Sequence, residues 1–82
     1  MPDLDIIKTG FDGCYDMLKQ LSSELRAKSF SLDLAEDTSP MGAKEKECCD
    51  ELIAMISDLA ALAEETAADV KLTKARYVLA DN

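Results

Sequence analysis

One internal proline divides this chain. Pro40 stands near its centre, the only other proline is Pro2, and the glycines are Gly10, Gly13 and Gly42. Proline removes a backbone donor and clashes with the turn before it, and glycine weakens a helix, so their placement limits where helices can run. Long proline-free stretches flank Pro40. Both carry apolar residues at alternating three- and four-residue steps. That spacing gathers them on one helix face and predicts two helices that pair.

The first helix is expected over about residues 3–28. Its seam reads Leu4, Ile7, Phe11, Cys14, Leu18, Leu21 and Leu25. Pro2 and Asp3 suit a helix start, with the carboxylate near the positive end of the dipole. A second stripe of Ile6, Gly10, Gly13 and Met17 lies beside the seam. Its glycines form a groove that another helix could approach closely, or are simply tolerated, or mark a bend.

Residues 29–39 read as a connection. Phe30, Leu32 and Leu34 alternate with Ser31 and Asp33, an extended pattern whose apolar side would plug the hairpin end. Ser39 is a candidate N-cap and Pro40 a candidate first residue of the second helix, expected over about residues 40–80. Its seam reads Cys49, Leu52, Ile56, Leu59, Ala63, Thr66, Val70, Thr73 and Tyr77. Cys48, Met55 and Leu62 widen it on one flank, and Ile53, Ala60 and Ala67 on the other. A hairpin needs one narrow stripe, so the breadth implies burial against more than the first helix. The fold class is all-α: an antiparallel two-helix hairpin with a longer second helix, completing a bundle with a partner.

With those bounds the helices would be about 39 Å and about 60 Å long. Folded antiparallel, Leu21 would face Cys49 and Cys14 would face Ile56. Cys14 and Cys49 would stand about 10 Å apart along the axis, beyond the ~7 Å Cα separation that a disulfide spans. Residues 70–82 would overhang the first helix. Val70, Leu72 and Leu79 on that overhang, with Leu52, Met55, Ile56, Leu59 and Leu62, form the expected partner interface.

Composition narrows the function. A chain of 82 residues is one small domain. At this size only about 60% of the unfolded surface is buried, which favours helices that gain stability by pairing. The formal charge of −8 disfavours nucleic acid and anionic membranes, and suits solubility or a basic partner. Cys14, Cys48 and Cys49 form neither a disulfide framework nor a metal spacing, and there is no histidine. They read as small apolar side chains in a reducing compartment. Neither a glycine-rich phosphate loop nor a nucleophile with its base is evident, so no enzyme and no cofactor are expected. Met1-Pro2-Asp3 opens without the positive and apolar regions of a signal peptide, and no apolar run reaches the ~20 residues of a membrane span.

Near the end of the second helix stand Tyr77 and Asp81, four residues apart. A small helical hairpin with Tyr-x-x-x-Asp near its end resembles the WxG, or ESAT-like, family of type VII secretion substrates. The Trp-x-Gly turn of that family is missing here, and the hinge reads Ser39-Pro40-Met41-Gly42. In this the chain is more similar to the small helical partners of LXG toxins. That resemblance implies a targeting factor that binds the helical N-terminal domain of a secreted toxin, or a second small helical protein. It also implies an export signal at Tyr77 and Asp81, read by a secretion ATPase or channel. The chain would be cytoplasmic before export, then secreted or at the cell surface by a route that reads no classical signal. Two alternatives stay open: a needle subunit or small chaperone of type III secretion, and a homodimeric four-helix bundle.

Overall fold

The computed structural model describes residues 4–81, and the side chains of residues 5–80. Helix α1 spans Leu4–Thr38 and helix α2 spans Ala43–Asp81. They lie side by side as an antiparallel hairpin measuring 61 × 14 × 14 Å. The expected all-α hairpin is the observed fold.

The first helix does not stop near Lys28. It continues through the expected connection to Thr38, because no proline or glycine intervenes and a helical seam is available there. Ser29, Leu32, Ala35 and Glu36 carry that seam and are partly buried, whereas Phe30 and Leu34 point outward. Phe30 is 69% exposed, so it plugs nothing. Ser39 also changes role. Its N–H donates to the Ala35 carbonyl at 2.9 Å, which closes α1 rather than capping α2. The Gly42 carbonyl accepts the Lys46 N–H at 3.0 Å and so takes the capping position. Pro40 belongs to the short connection. Glu45 sits in the first turn of α2, where the positive end of the dipole favours a carboxylate. The helix-start reading of Pro2 and Asp3 lies outside the described residues.

Register follows from the new turn position. Ser22 meets Glu64, Ser29 meets Ser57 and Asp12 meets Lys74, and each pair of numbers totals 86. The expected pairs, Leu21 with Cys49 and Cys14 with Ile56, do not form: Leu21 faces the region of Glu65 and Cys14 the region of Leu72. Cys14 and Cys49 are far apart, and all three cysteines are free thiols. No overhang forms. The two helices differ by four residues in length, 35 against 39, and the start of α1 covers the end of α2. Phe11 and Tyr77 pack with ring centroids 5.9 Å apart at 57°. Such tilted aromatic pairs are worth about 0.5–1.5 kcal/mol beyond the area they bury.

The seam itself runs one residue away from the expected one at every second step. On α1 the inward residues are Phe11, Tyr15, Leu18, Ser22, Leu25, Ser29 and Leu32. Tyr15 and Ser22 replace Cys14 and Leu21, which are exposed. On α2 they are Cys49, Ile53, Ile56, Ala60, Ala63, Ala67, Val70, Lys74 and Tyr77. Here Ile53, Ala60, Ala67 and Lys74 replace Leu52, Leu59, Thr66 and Thr73. Ala60 and Ala67 are 0% and 1% exposed. Alanine lets two helix backbones approach closely, so the middle of the seam sets Ala60, Ala63 and Ala67 of α2 against Leu18, Ser22 and Leu25 of α1, with larger α2 side chains at Ile53, Ile56, Val70 and Tyr77 on either side.

The register makes a direct prediction. The Ser29 and Ser57 hydroxyl oxygens are 3.4 Å apart. In a background without the native cysteines, Ser29→Cys with Ser57→Cys should form an intrachain disulfide on mild oxidation. Mass analysis of the oxidised monomer checks it, and a failure to crosslink under those conditions argues against this register.

Candidate interaction surface

The heptad seam gives the hairpin two unlike sides. One side carries its ion pairs. Arg26 donates from Nε and Nη2 to both carboxylate oxygens of Glu64, at 2.9 and 3.1 Å. Ser22 Oγ donates to the same carboxylate at 2.7 Å. Lys74 Nζ donates to Asp12 at 2.6 Å. A bidentate guanidinium fixes orientation as well as charge. These groups fix the register laterally, while their partial exposure keeps their contribution to stability small.

The opposite side carries two apolar grooves. Leu52, Met55, Leu59 and Leu62 line one groove along α2, with half-buried Ile56 at its floor and Asp58 at its edge. Cys14, Met17 and Leu21 line a second groove along α1. Met55 is 66% exposed and Met17 73%. Many of the large apolar side chains of α2 are therefore outside, while Ala60, Ala63 and Ala67 occupy the middle of its seam. Of the expected interface residues, the structure brings Leu52, Met55, Ile56, Leu59 and Leu62 together. Val70 is instead partly buried in the seam. Leu72 and Leu79 lie on the outer face of α2, apart from the groove.

The glycine stripe also has a place. Ile6, Gly10, Gly13 and Met17 are all exposed. A Cβ on Gly10 or Gly13 would meet nothing within 4 Å. The stripe faces away from α2, so this chain does not use it for helix approach. Alanine at either glycine should raise stability by about 0.5–1 kcal/mol through helix propensity alone. Thermal melts of Gly10→Ala and Gly13→Ala check this, with an unchanged or lower melting temperature counting against an open stripe.

Tyr77 is partly buried on Phe11. Asp81 closes α2, and its side chain lies outside the described residues. The pair therefore sits on a paired helix end, not on a free tail.

Sequence reasoning missed the polar members of the seam. Ser22, Ser29 and Glu36 recur every seven residues on α1. That periodicity was visible, but apolar content pointed to the neighbouring Cys14 and Leu21. Glu64 was legible only through its partner. Two acid groups now have opposite electrostatics. The Arg26 guanidinium and then the Ser22 hydroxyl hold Glu64 down at about 2. Glu36, beside Asp50 near the closed end, is pushed up by the neighbouring Asp50 carboxyl and by burial. Burial, then the nearby Glu36 charge, also pushes the Cys49 thiol up. Among the described residues no group of histidine, cysteine, aspartate and glutamate could hold a metal ion.

These shifts set the response to acid. Glu64 has a depressed value, so its contribution is present above the ordinary 4.5 and fades as pH falls towards about 2. Glu36 has a raised value, so its contribution is present below 4.5 and is lost as pH rises through the raised value. Denaturant melts should show Glu64→Gln destabilising at neutral pH, with the gap closing in acid. Glu36→Gln should stabilise at neutral pH and lose that advantage below 4.5. Parallel pH curves for the variants and the parent would contradict this assignment.

Comparison with protein-family models, with curated proteins and with solved structures finds no match to this chain.

Proposed function

We propose that this hairpin is a non-enzymatic interaction protein of a type VII secretion system. It binds the helical N-terminal domain of an LXG-type toxin as a targeting factor, and carries Tyr77 and Asp81 as an export signal. One observation supports this reading above the others: α2 keeps Leu52, Met55, Leu59 and Leu62 on an exposed side, while the middle of its seam with α1 is made of Ala60, Ala63 and Ala67. Burying those larger side chains against a second helical layer would remove about 1.5–3 kcal/mol of unfavourable exposure for each one fully covered. A chain that left them in water would be poorly soluble and weakly held together.

The way the signal would be read differs from a tail that orders on a partner. Tyr77 is held by Phe11, so the phenol and carboxylate would be offered from a preformed helix end. No described helix is long and apolar enough to cross a membrane, and the proposed route needs none.

Tyr77→Ala alone would mix loss of signal with loss of the Phe11 contact. Tyr77→Phe keeps the ring, and Asp81→Asn keeps the shape of the side chain. Asp81→Asn should reduce export of the bound partner from the native cell to background, while partner binding stays at the parental level. Tyr77→Phe separates the hydroxyl from the ring in the same assay. Parental export by Asp81→Asn would eliminate the signal role.

A further inference from the structure

The two apolar grooves are staggered. Met55 and Leu59 lie level with residues 31 and 27 of α1 in the observed register, whereas Cys14 and Leu21 lie level with residues 72 and 65 of α2. Their centres are therefore about 17 Å apart along the hairpin. The α2 groove also has a charged bank. Glu51, Asp58 and Glu65 follow one another every seven residues, so they form a row along the outer edge of the leucines. Asp58 lines the groove directly. Among the described residues the salt bridges, Arg26–Glu64 and Lys74–Asp12, lie elsewhere and do not involve this row. Across the groove, α1 offers Glu24 and Lys28, whose charges offset each other.

A second copy of the chain fits this surface poorly. Two-fold symmetry allows two ways of stacking the apolar sides. With the axis across the helices, α2 lies antiparallel on α2 and the acidic banks face each other. Glu51 then opposes Glu65, Asp58 opposes Asp58, and Cys14, Met17 and Leu21 are carried over the closed hairpin end. With the axis along the helices, the leucines of α2 lie over Glu24, Lys28 and Ser31 of the other copy. Neither arrangement covers both grooves with apolar surface, and the first adds like-charge repulsion.

We propose that the α2 groove takes one foreign amphipathic helix, whose apolar edge is flanked by lysine or arginine on the side that meets Glu51, Asp58 and Glu65. The leucines and Met55 supply contact area, and the acidic bank selects the charge and orientation of the helix. The inference rests on the reading of this protein as an interaction module and names the chemistry of its partner.

The test uses the full chain and two synthetic amphipathic helical peptides with the same leucine edge. One carries lysine and arginine along one flank; the other carries glutamate there. Fluorescence anisotropy should show the basic peptide binding about tenfold tighter at low salt, with the preference shrinking at high salt. Glu51→Lys, Asp58→Lys and Glu65→Lys together should reverse the order. Met55→Asp should abolish binding of both peptides, with circular dichroism confirming that the exposed substitution leaves the helices intact. Binding of neither peptide, equal affinity for both, or a preference unmoved by the triple variant overturns the proposal. So does sedimentation of the chain alone as a tight dimer in which Met55 is protected from oxidation. Tyr77 and Asp81 are remote from the groove at the open end. A failed export assay with intact peptide selectivity therefore removes the signal and leaves this inference standing, and the reverse result removes the inference alone.

Discussion

Everything in this hairpin depends on which edge of a broad apolar stripe faces inward. Either helix could present a leucine-rich edge or a small and polar one. The structure pairs Tyr15, Ser22 and Ser29 on α1 with Ala60, Ala63 and Ala67 on α2. Small side chains permit close backbone approach, and the ion pair between Arg26 and Glu64 lies along the same choice of face. Turning either helix by one seam position would bury more leucine area, but it would also pull Ser22 and Arg26 away from Glu64. The choice leaves a thin core, in which Ala60, Ala63, Ala67, Cys49 and Ser22 are the buried residues among those described.

That choice produces a protein with two unlike sides. The ion-paired side holds the hairpin in register, whereas the apolar side contributes little to holding it together. The bulk of the large apolar surface is thereby available for a second layer without any rearrangement of the first. The position of the turn has a similar reach. Once Gly42 caps α2, residues at both open ends come level, and Tyr77 finds Phe11. A terminal segment expected to overhang is instead paired with α1 through Tyr77 and Phe11.

Much of the fold was legible in the residues. The two helices, their antiparallel pairing and the excess breadth of the α2 stripe follow from Pro40 and from three- and four-residue spacing. The errors share one cause. Apolar content alone favours Cys14, Leu21, Leu52 and Leu59 as the inward residues, and all four are exposed. The alternation of Phe30, Leu32 and Leu34 fits an extended strand, but a helix also carries Ser29, Leu32 and Glu36 on one face. Five residues cannot distinguish those patterns. The shortened first helix then displaced the register and created an overhang at Tyr77 that does not exist.

Local sequence determined what each segment could do alone: Pro40 and Gly42 interrupt helix, and the uninterrupted segments propagate it. It also determined that more apolar surface was present than a two-helix seam can use. Only the tertiary structure decided which edge would be spent on the hairpin. That decision depends on how closely two backbones can approach and on where Arg26 and Ser22 meet Glu64, residues about forty positions apart. Periodicity within one helix contains no information about such a pairing, because the same stripe offers two adjacent seams with identical spacing.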